Sequence, residues 1–167
     1  MWRIRHTYAN IIGDMKKKVV IDTNVLVSAT RSRGGPSFAL IQQVRNGSLL
    51  ACCTPALFLE YEAVLKRGEH LKVSGLTETD IDAILAELVA LVAPVATHYQ
   101  WRPQLRDPSD EMVLEAAANA SAHAIITCNL KDFAPASQFG IHVLNPQQAF
   151  LQFKLAQPNL TKRISKP

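Results

Sequence analysis

Acidic residues are the chemical resource of this chain, and they fall in clusters. Asp22 directly follows the apolar run Val19-Val20-Ile21 and begins an Asp22-Thr23-Asn24 turn. Asp107, Asp110 and Glu111 lie within one helical turn of one another in Arg106-Asp107-Pro108-Ser109-Asp110-Glu111. Asn129 and Asp132 occupy the stretch Thr127-Cys128-Asn129-Leu130-Lys131-Asp132-Phe133. Glu60 stands three residues after Leu57, on the flank of an apolar helical stripe where an unpaired carboxylate is expensive, whereas Glu62 turns toward solvent. No comparable group of Lys or Arg lies between these clusters. Like charges gathered in one cleft repel unless a cation sits among them. Hard oxygen donors without a His/Cys set suit Mg2+ or Mn2+.

Each acid also has an ordinary explanation. A carboxylate in a helix's first turn caps free N–H groups and favours the helix dipole, which accounts for Asp107 and Asp110 singly. Asp22 reads equally as a turn residue and Glu60 as a half-exposed helix residue. Those explanations leave the coincidence of three acidic groups at or near strand ends unaccounted for. Open parallel sheets bind ligands outside the carboxyl ends of their strands, which is where these acids fall.

The elements that position them follow from periodicity. Val19-Val20-Ile21 is an uninterrupted β-branched run, the pattern of a strand covered on both faces. A short helix is expected over 25–30, and a second from Ser37 to Arg45, opened after Gly34-Gly35-Pro36 and closed by Asn46-Gly47. Leu49 to Cys53 reads as the second strand. Thr54-Pro55 supplies an N-cap and first-turn proline for a helix through Lys66, with Leu57, Tyr61, Val64 and Leu65 as its apolar stripe. Thr77 and Asp80 form a capping box that opens a helix ended by Pro94. Asp107-Pro108 repeats the cap-plus-proline signal before a helix to about Ala122. Ala124 to Thr127 and Ile141 to Leu144 are further strands, and Pro146 to Phe153 a last helix. Strands separated by helices predict a three-layer α/β/α sandwich around a mainly parallel sheet of four to five strands.

Composition sets the frame. A length of 167 residues and 48% hydrophobic content fit one domain with a real core. We divide the chain into an N-terminal extension, 1–14, a domain over 15–155 and a basic C-terminal tail, 156–167, with Met15 an alternative start. No apolar run reaches membrane-span length, and no signal-peptide pattern follows Arg3 and Arg5. Three cysteines, two of them adjacent at Cys52 and Cys53, fit a reduced, cytoplasmic setting. The net charge of +4 is unevenly spread. Residues 1–18 and 154–167 hold nine Lys or Arg against the single acid Asp14, leaving nine basic and thirteen acidic residues in the body. The arms are therefore solvated tails or phosphate contacts, and the body is mildly acidic.

Several of these segments resemble one family. Val19 to Ser28, with Asp22-Thr23-Asn24 at its centre, is similar to the opening of PIN-domain proteins, in particular the bacterial VapC-like toxins of toxin-antitoxin pairs. Glu60-Tyr61-Glu62-Ala63-Val64-Leu65 resembles that group's Glu-Tyr and Val-Leu helix, and Arg106 to Glu111 resembles its Arg-Asp-Pro-x-Asp segment. Asn145-Pro146 through Phe150-Leu151 also fits, so the likeness runs over about residues 17–151. The resemblance implies a PIN-like, Rossmann-like fold and a metal-dependent ribonuclease with Asp22, Glu60 and Asp110 as catalytic metal ligands. It leaves Asp107, Glu111 and Asp132 as further ligands and Thr23, Asn24, Thr127 and Asn129 as their supports. One departure stands out: many relatives carry Thr-Gly-Asp where this chain has Thr127-Cys128-Asn129, although a Thr-x-Asn-x-x-Asp-Phe variant, with Asp132 supplying the charge, also occurs. The expected chemistry is in-line attack of water on phosphorus, leaving a 5′-phosphate and a 3′-hydroxyl. RNA is the implied substrate, a cognate antitoxin and a second copy of the chain the implied partners, and no membrane is involved.

Other classes fit less well. A nuclease-silent PIN module that binds RNA or protein is kept open by Asn129 and the acidic body. A phosphatase of the haloacid-dehalogenase type would place a second Asp where Asn24 stands. Serine and cysteine hydrolases lack their motifs, and Cys52 and Cys53 fall mid-strand, where buried thiols are usual. His123 and His142 read as strand-edge residues.

Overall fold

A computed structural model describes residues 16–100 and 102–155. The N-terminal extension, the alternative start at Met15 and the C-terminal tail lie outside the described residues. Five strands form one sheet: β1 (Lys17–Ile21), β2 (Leu49–Cys53), β3 (Ala93–Pro94), β4 (Ala124–Ile126) and β5 (His142–Leu144). Their order is β3-β2-β1-β4-β5, and every neighbouring pair is parallel. Val19 and Val20 point to opposite faces of β1, yet both are fully buried. Both faces of the central strand are therefore covered, as its unbroken apolar run requires.

Among the described residues seven helices supply the cover: α1 (Thr23–Arg31), α2 (Pro36–Arg45), α3 (Pro55–Leu65), α4 (Gly68–Ser74), α5 (Glu78–Leu91), α6 (Glu111–Ala120) and α7 (Pro146–Gln152). Local signals set several of their ends. The Thr54 hydroxyl accepts from Leu57 N–H at 3.2 Å ahead of Pro55, and Thr77 and Asp80 complete the expected capping box. Asn145 and Gln148 form another at α7. The chain is the expected three-layer α/β/α sandwich. Among the described residues, no helix is long and apolar enough to cross a membrane.

Three local expectations need correction. Pro94 does not itself end a helix: α5 stops at Leu91, and Ala93–Pro94 forms the additional strand β3. It pairs only with β2, and an edge strand tolerates a residue that has no N–H to donate. Asp107 does not cap α6. Its Oδ1 instead accepts from the Ser109 N–H at 2.9 Å and hydroxyl at 2.8 Å, which closes a turn and delays the helix to Glu111. That helix ends at Ala120 because Ser121 adopts a left-handed conformation, φ 51°. Helix α4 and a short 3-10 helix, Ala134–Phe139, were not expected from periodicity; each is at most seven residues long, too short to show one.

Candidate active site

The strand order reverses direction between β1 and β4. The chain runs from β1 outward through β2 and β3, then returns to the other side of β1 with β4. The carboxyl ends of β1 and β4 thus form the crevice where such sheets bind ligands. Asp22 follows β1 and Thr127 follows β4. The backbone closes the junction, with Asp22 N–H donating to Ile126 C=O and Thr127 N–H to Leu144 C=O, both at 2.9 Å.

The side chains bridge the same gap. Thr127, fully buried, donates its hydroxyl to Asp22 Oδ2 at 2.7 Å. The Thr127 oxygen in turn accepts from Asn24 Nδ2 at 3.3 Å and from the Asn129 N–H at 2.9 Å. Asn24 completes the link, its Oδ1 accepting from Cys128 N–H at 3.0 Å. The four residues predicted to support the ligands therefore include three, Asn24, Thr127 and Asn129, that form one network on Asp22. Thr23 contributes its backbone N–H.

Asp22 is only 6% exposed and none of these partners carries a positive charge. Burial pushes its pKa up. The Thr127 hydroxyl opposes that most, followed by the N–H groups of Asn24 and Thr23 and the Asn24 side chain, which favour the charged form without closing a capping bond. Asp110 sits at the N-cap of α6, but its carboxylate caps nothing. Its pKa is pushed up to about 6, first by partial burial and then by the negative charges of Asp22, Asp107, Asp132 and Glu111. Sequence segments more than 80 residues apart thus share one electrostatic neighbourhood. Among the described residues, no Lys or Arg forms an ion pair with Asp22, Glu60, Asp107, Asp110 or Asp132.

The other acids divide by their partners. Asp132 accepts a short hydrogen bond from Asn129 Nδ2, which ties the departure from Thr-Gly-Asp to the acid that follows it. Asp107 is exposed, and its bonds to Ser109 hold its pKa below the usual value. Glu111, 2% exposed, accepts from the Gln104 N–H at 2.5 Å and the Leu105 N–H at 2.8 Å through one oxygen. Glu60 is half-buried and its side chain forms no hydrogen bond or ion pair among the described residues, but it is not among the charges acting on Asp110. Glu62 joins Lys66 at 2.8 Å and Lys66 joins Asp82 at 2.7 Å. Among the described residues, no three His, Cys, Asp or Glu side chains stand together as a finished metal cage. The donor set nevertheless fits a hard divalent cation: oxygens only, a buried carboxylate with neutral partners, and a second acid whose proton affinity is raised by its neighbours.

One contributor enters the sequence reading only through its apolar stripe and the Glu-Tyr resemblance. Tyr61, buried, donates its hydroxyl to Ile21 C=O in a short hydrogen bond, so α3 is pinned to β1 one residue before Asp22. The signal was there, since a tyrosine in a buried stripe must find a partner for its hydroxyl. Its neighbour Cys53 is raised to about 12, mainly by burial, and is no nucleophile.

The fold and site define a protein of the open parallel α/β class, whose members bind ligands at the switch point of the sheet. Within it, the PIN domain family matches over residues 18–131, more than half of the chain, and the chain belongs to that family. No curated protein matches it. PIN domains are generally nucleases, which usually use divalent metals, and the site described here lies within the matched region apart from Asp132.

Proposed function

We propose that the chain is an Mg2+- or Mn2+-dependent endoribonuclease, the toxin of a toxin-antitoxin pair acting in the cytoplasm. The observation that carries the reading is the buried Asp22 carboxylate, held by neutral partners and set in the same field as Asp110, with no Lys or Arg paired to either among the described residues. Asp22, Asp110 and Glu60 would hold the cation, with Asp107 and Asp132 adding negative charge around them. When bound, the metal supplies neutralisation of the acids, a lowered water pKa and stabilisation of the leaving oxygen. Thr127 and Asn24 fix the Asp22 carboxylate in one orientation. Glu60, with no competing partner, is available to orient the attacking water.

The antitoxin of that proposal would dock on a groove of about 380 Å3. It is lined by Leu26, Phe38, Ile41, Leu76, Ile84 and Leu88, among others, and shares no residue with the acidic site. An amphipathic helix of a partner protein suits such a surface. A second reading, a PIN module that binds RNA without cutting it, is favoured by Asn129 in place of an acid and by the lack of a finished three-acid cage among the described residues.

RNA cleavage by the purified chain separates the two. The nuclease reading expects cleavage with Mg2+ or Mn2+ and none with EDTA or in Asp22→Asn. Binding without cleavage under every metal condition supports the silent module instead, and cleavage at full rate in EDTA contradicts both.

A further inference from the structure

One face of α6 carries Glu111, Glu115 and Asn119 at successive turns, and all three bind the same incoming segment. Asn119 Oδ1 accepts from the N–H groups of His98 at 2.7 Å and Tyr99 at 3.0 Å, and its Nδ2 donates to Tyr99 C=O at 3.0 Å. Glu115 takes Arg102 in a two-pronged pair, with Nε at 2.6 Å and Nη2 at 2.9 Å. Glu111 holds the N–H groups of Gln104 and Leu105, and the Leu105 side chain enters the core. Residues 98–99, 102 and 104–105 are thus held along α6, and the chain is released only at Arg106. Five residues later it has turned back and entered the same helix.

We infer that Glu111 is a positioning residue for Asp110: it is the clasp that closes the loop 104–111 and sets where Asp110 projects. The loop has two buried ends, Leu105 and Glu111, joined to each other by the Glu111 carboxylate. Between them the only internal ties are local: the Asp107–Ser109 turn and the Asp110 N–H donated to Asp107 C=O at 3.1 Å. Asp110 makes no side-chain cap bond that would fix it independently. Without the clasp, Gln104 and Leu105 would have two N–H groups without their acceptor, and the loop carrying Asp107 and Asp110 would lose its closed end. The inference rests on the metal-dependent reading for its consequence, and assigns Glu111 to holding the loop, not to ligating the ion.

The two roles respond differently to the neutral isostere. Glutamine keeps an oxygen able to accept both N–H groups but loses the charge; alanine loses both. Mn2+ titration of the folded wild type, Glu111→Gln and Glu111→Ala, with hydrogen exchange read at Gln104 and Leu105, tests the assignment. The clasp predicts Mn2+ affinity within about threefold of wild type for Glu111→Gln and a loss of about tenfold or more for Glu111→Ala, the scale of a lost supporting bond. Equal losses in both variants make Glu111 a ligand and overturn the inference, as does wild-type affinity in Glu111→Ala. If Glu111→Ala does not fold, Glu111→Gln decides alone, with retained affinity and slow exchange expected. If the wild type binds no Mn2+, the metal reading has failed and exchange judges the clasp: slow amides in wild type and Glu111→Gln uphold it, and fast exchange in wild type overturns it.

Discussion

The acids of this protein are treated in two opposite ways a short distance apart. Along α6, Glu115 gives both oxygens to Arg102, so its charge is answered by the protein itself, and Glu111 gives one oxygen to two N–H groups that close a loop. At the β1–β4 switch point, Asp22 is just as buried but receives only neutral hydrogen bonds, and Asp110 is left among other acids. Burial of a charge without a counter-charge is unfavourable, and repeated repulsion at one place is a cost that packing alone does not require. Glu115 and Glu111 hold a segment of the chain in place; Asp22 and Asp110 have no counter-charge paired to them among the described residues, which fits the cation-binding role proposed for them. The distinction could not be drawn from residue type, since Asp110 and Glu111 are neighbours in sequence.

Removing a switch-point charge should have the largest effect. Asp22→Asn and Asp110→Asn are each expected to lower RNA cleavage by more than about a hundredfold while leaving the protein folded and no less stable, because each relieves a strained carboxylate. Glu62→Gln, which touches only the Lys66 pair, should change cleavage little. Circular dichroism and a gel-based cleavage assay read both effects. An Asp22→Asn chain that unfolds would make Asp22 a structural residue like Glu115.

Acidity gives the next effect. The raised Asp110 pKa means that the metal-free native state keeps a proton which the unfolded chain has released, over the interval from the ordinary value of 3.8 to about 6. The stability this contributes is complete below that interval and is lost as pH rises through about 6. Cation binding requires the ionised form, so metal affinity should move the other way and fall by up to about tenfold per unit as pH drops below about 6. Thermal melts without metal and Mn2+ titrations across the interval should therefore run in opposite directions. Parallel trends would show that Asp110 does not face the cation.

The pairing of Asn129 with Asp132 sharpens the picture further. If Asp132 supplies the charge that relatives place at position 129, Asp132→Asn should raise the Mg2+ concentration for half-maximal cleavage several-fold, by about an order of magnitude at most, while Asn129→Asp changes it little. The reverse result would assign the missing charge to position 129. A smaller and purely structural effect is expected at Tyr61→Phe, which leaves Ile21 C=O without its partner and should cost about 1–3 kcal/mol in a denaturant melt. An unchanged melt would mean that the hydroxyl does not pin α3 to β1.

What was legible in the sequence depended on the range of the interaction. The β1 run, the Thr54-Pro55 start and the Thr77–Asp80 box are local patterns, and they appear where periodicity and capping chemistry place them. Asp107-Pro108 carries the same cap-plus-proline signature as Thr54-Pro55, yet Ser109 offers a nearer partner and the signature becomes a turn. Strand β3 was hidden because two residues, one of them a proline, carry no alternation. At the site, strand-end placement brought Asp22 to the crevice and the Asp22-Thr23-Asn24 turn to its edge. The Thr127 hydroxyl bridging 105 residues back to Asp22, and the clasp from Glu111 to Gln104, depend on tertiary packing that no local pattern encodes.

The most direct measurement is a calorimetric Mn2+ titration at neutral pH of four chains: wild type, Asp22→Asn, Asp110→Asn and Glu115→Gln. If unanswered acids hold the cation and answered acids hold the fold, wild type and Glu115→Gln bind Mn2+ alike, while Asp22→Asn and Asp110→Asn lose the binding though they remain folded. Binding that survives in Asp22→Asn, or that is lost equally in Glu115→Gln, would contradict the account.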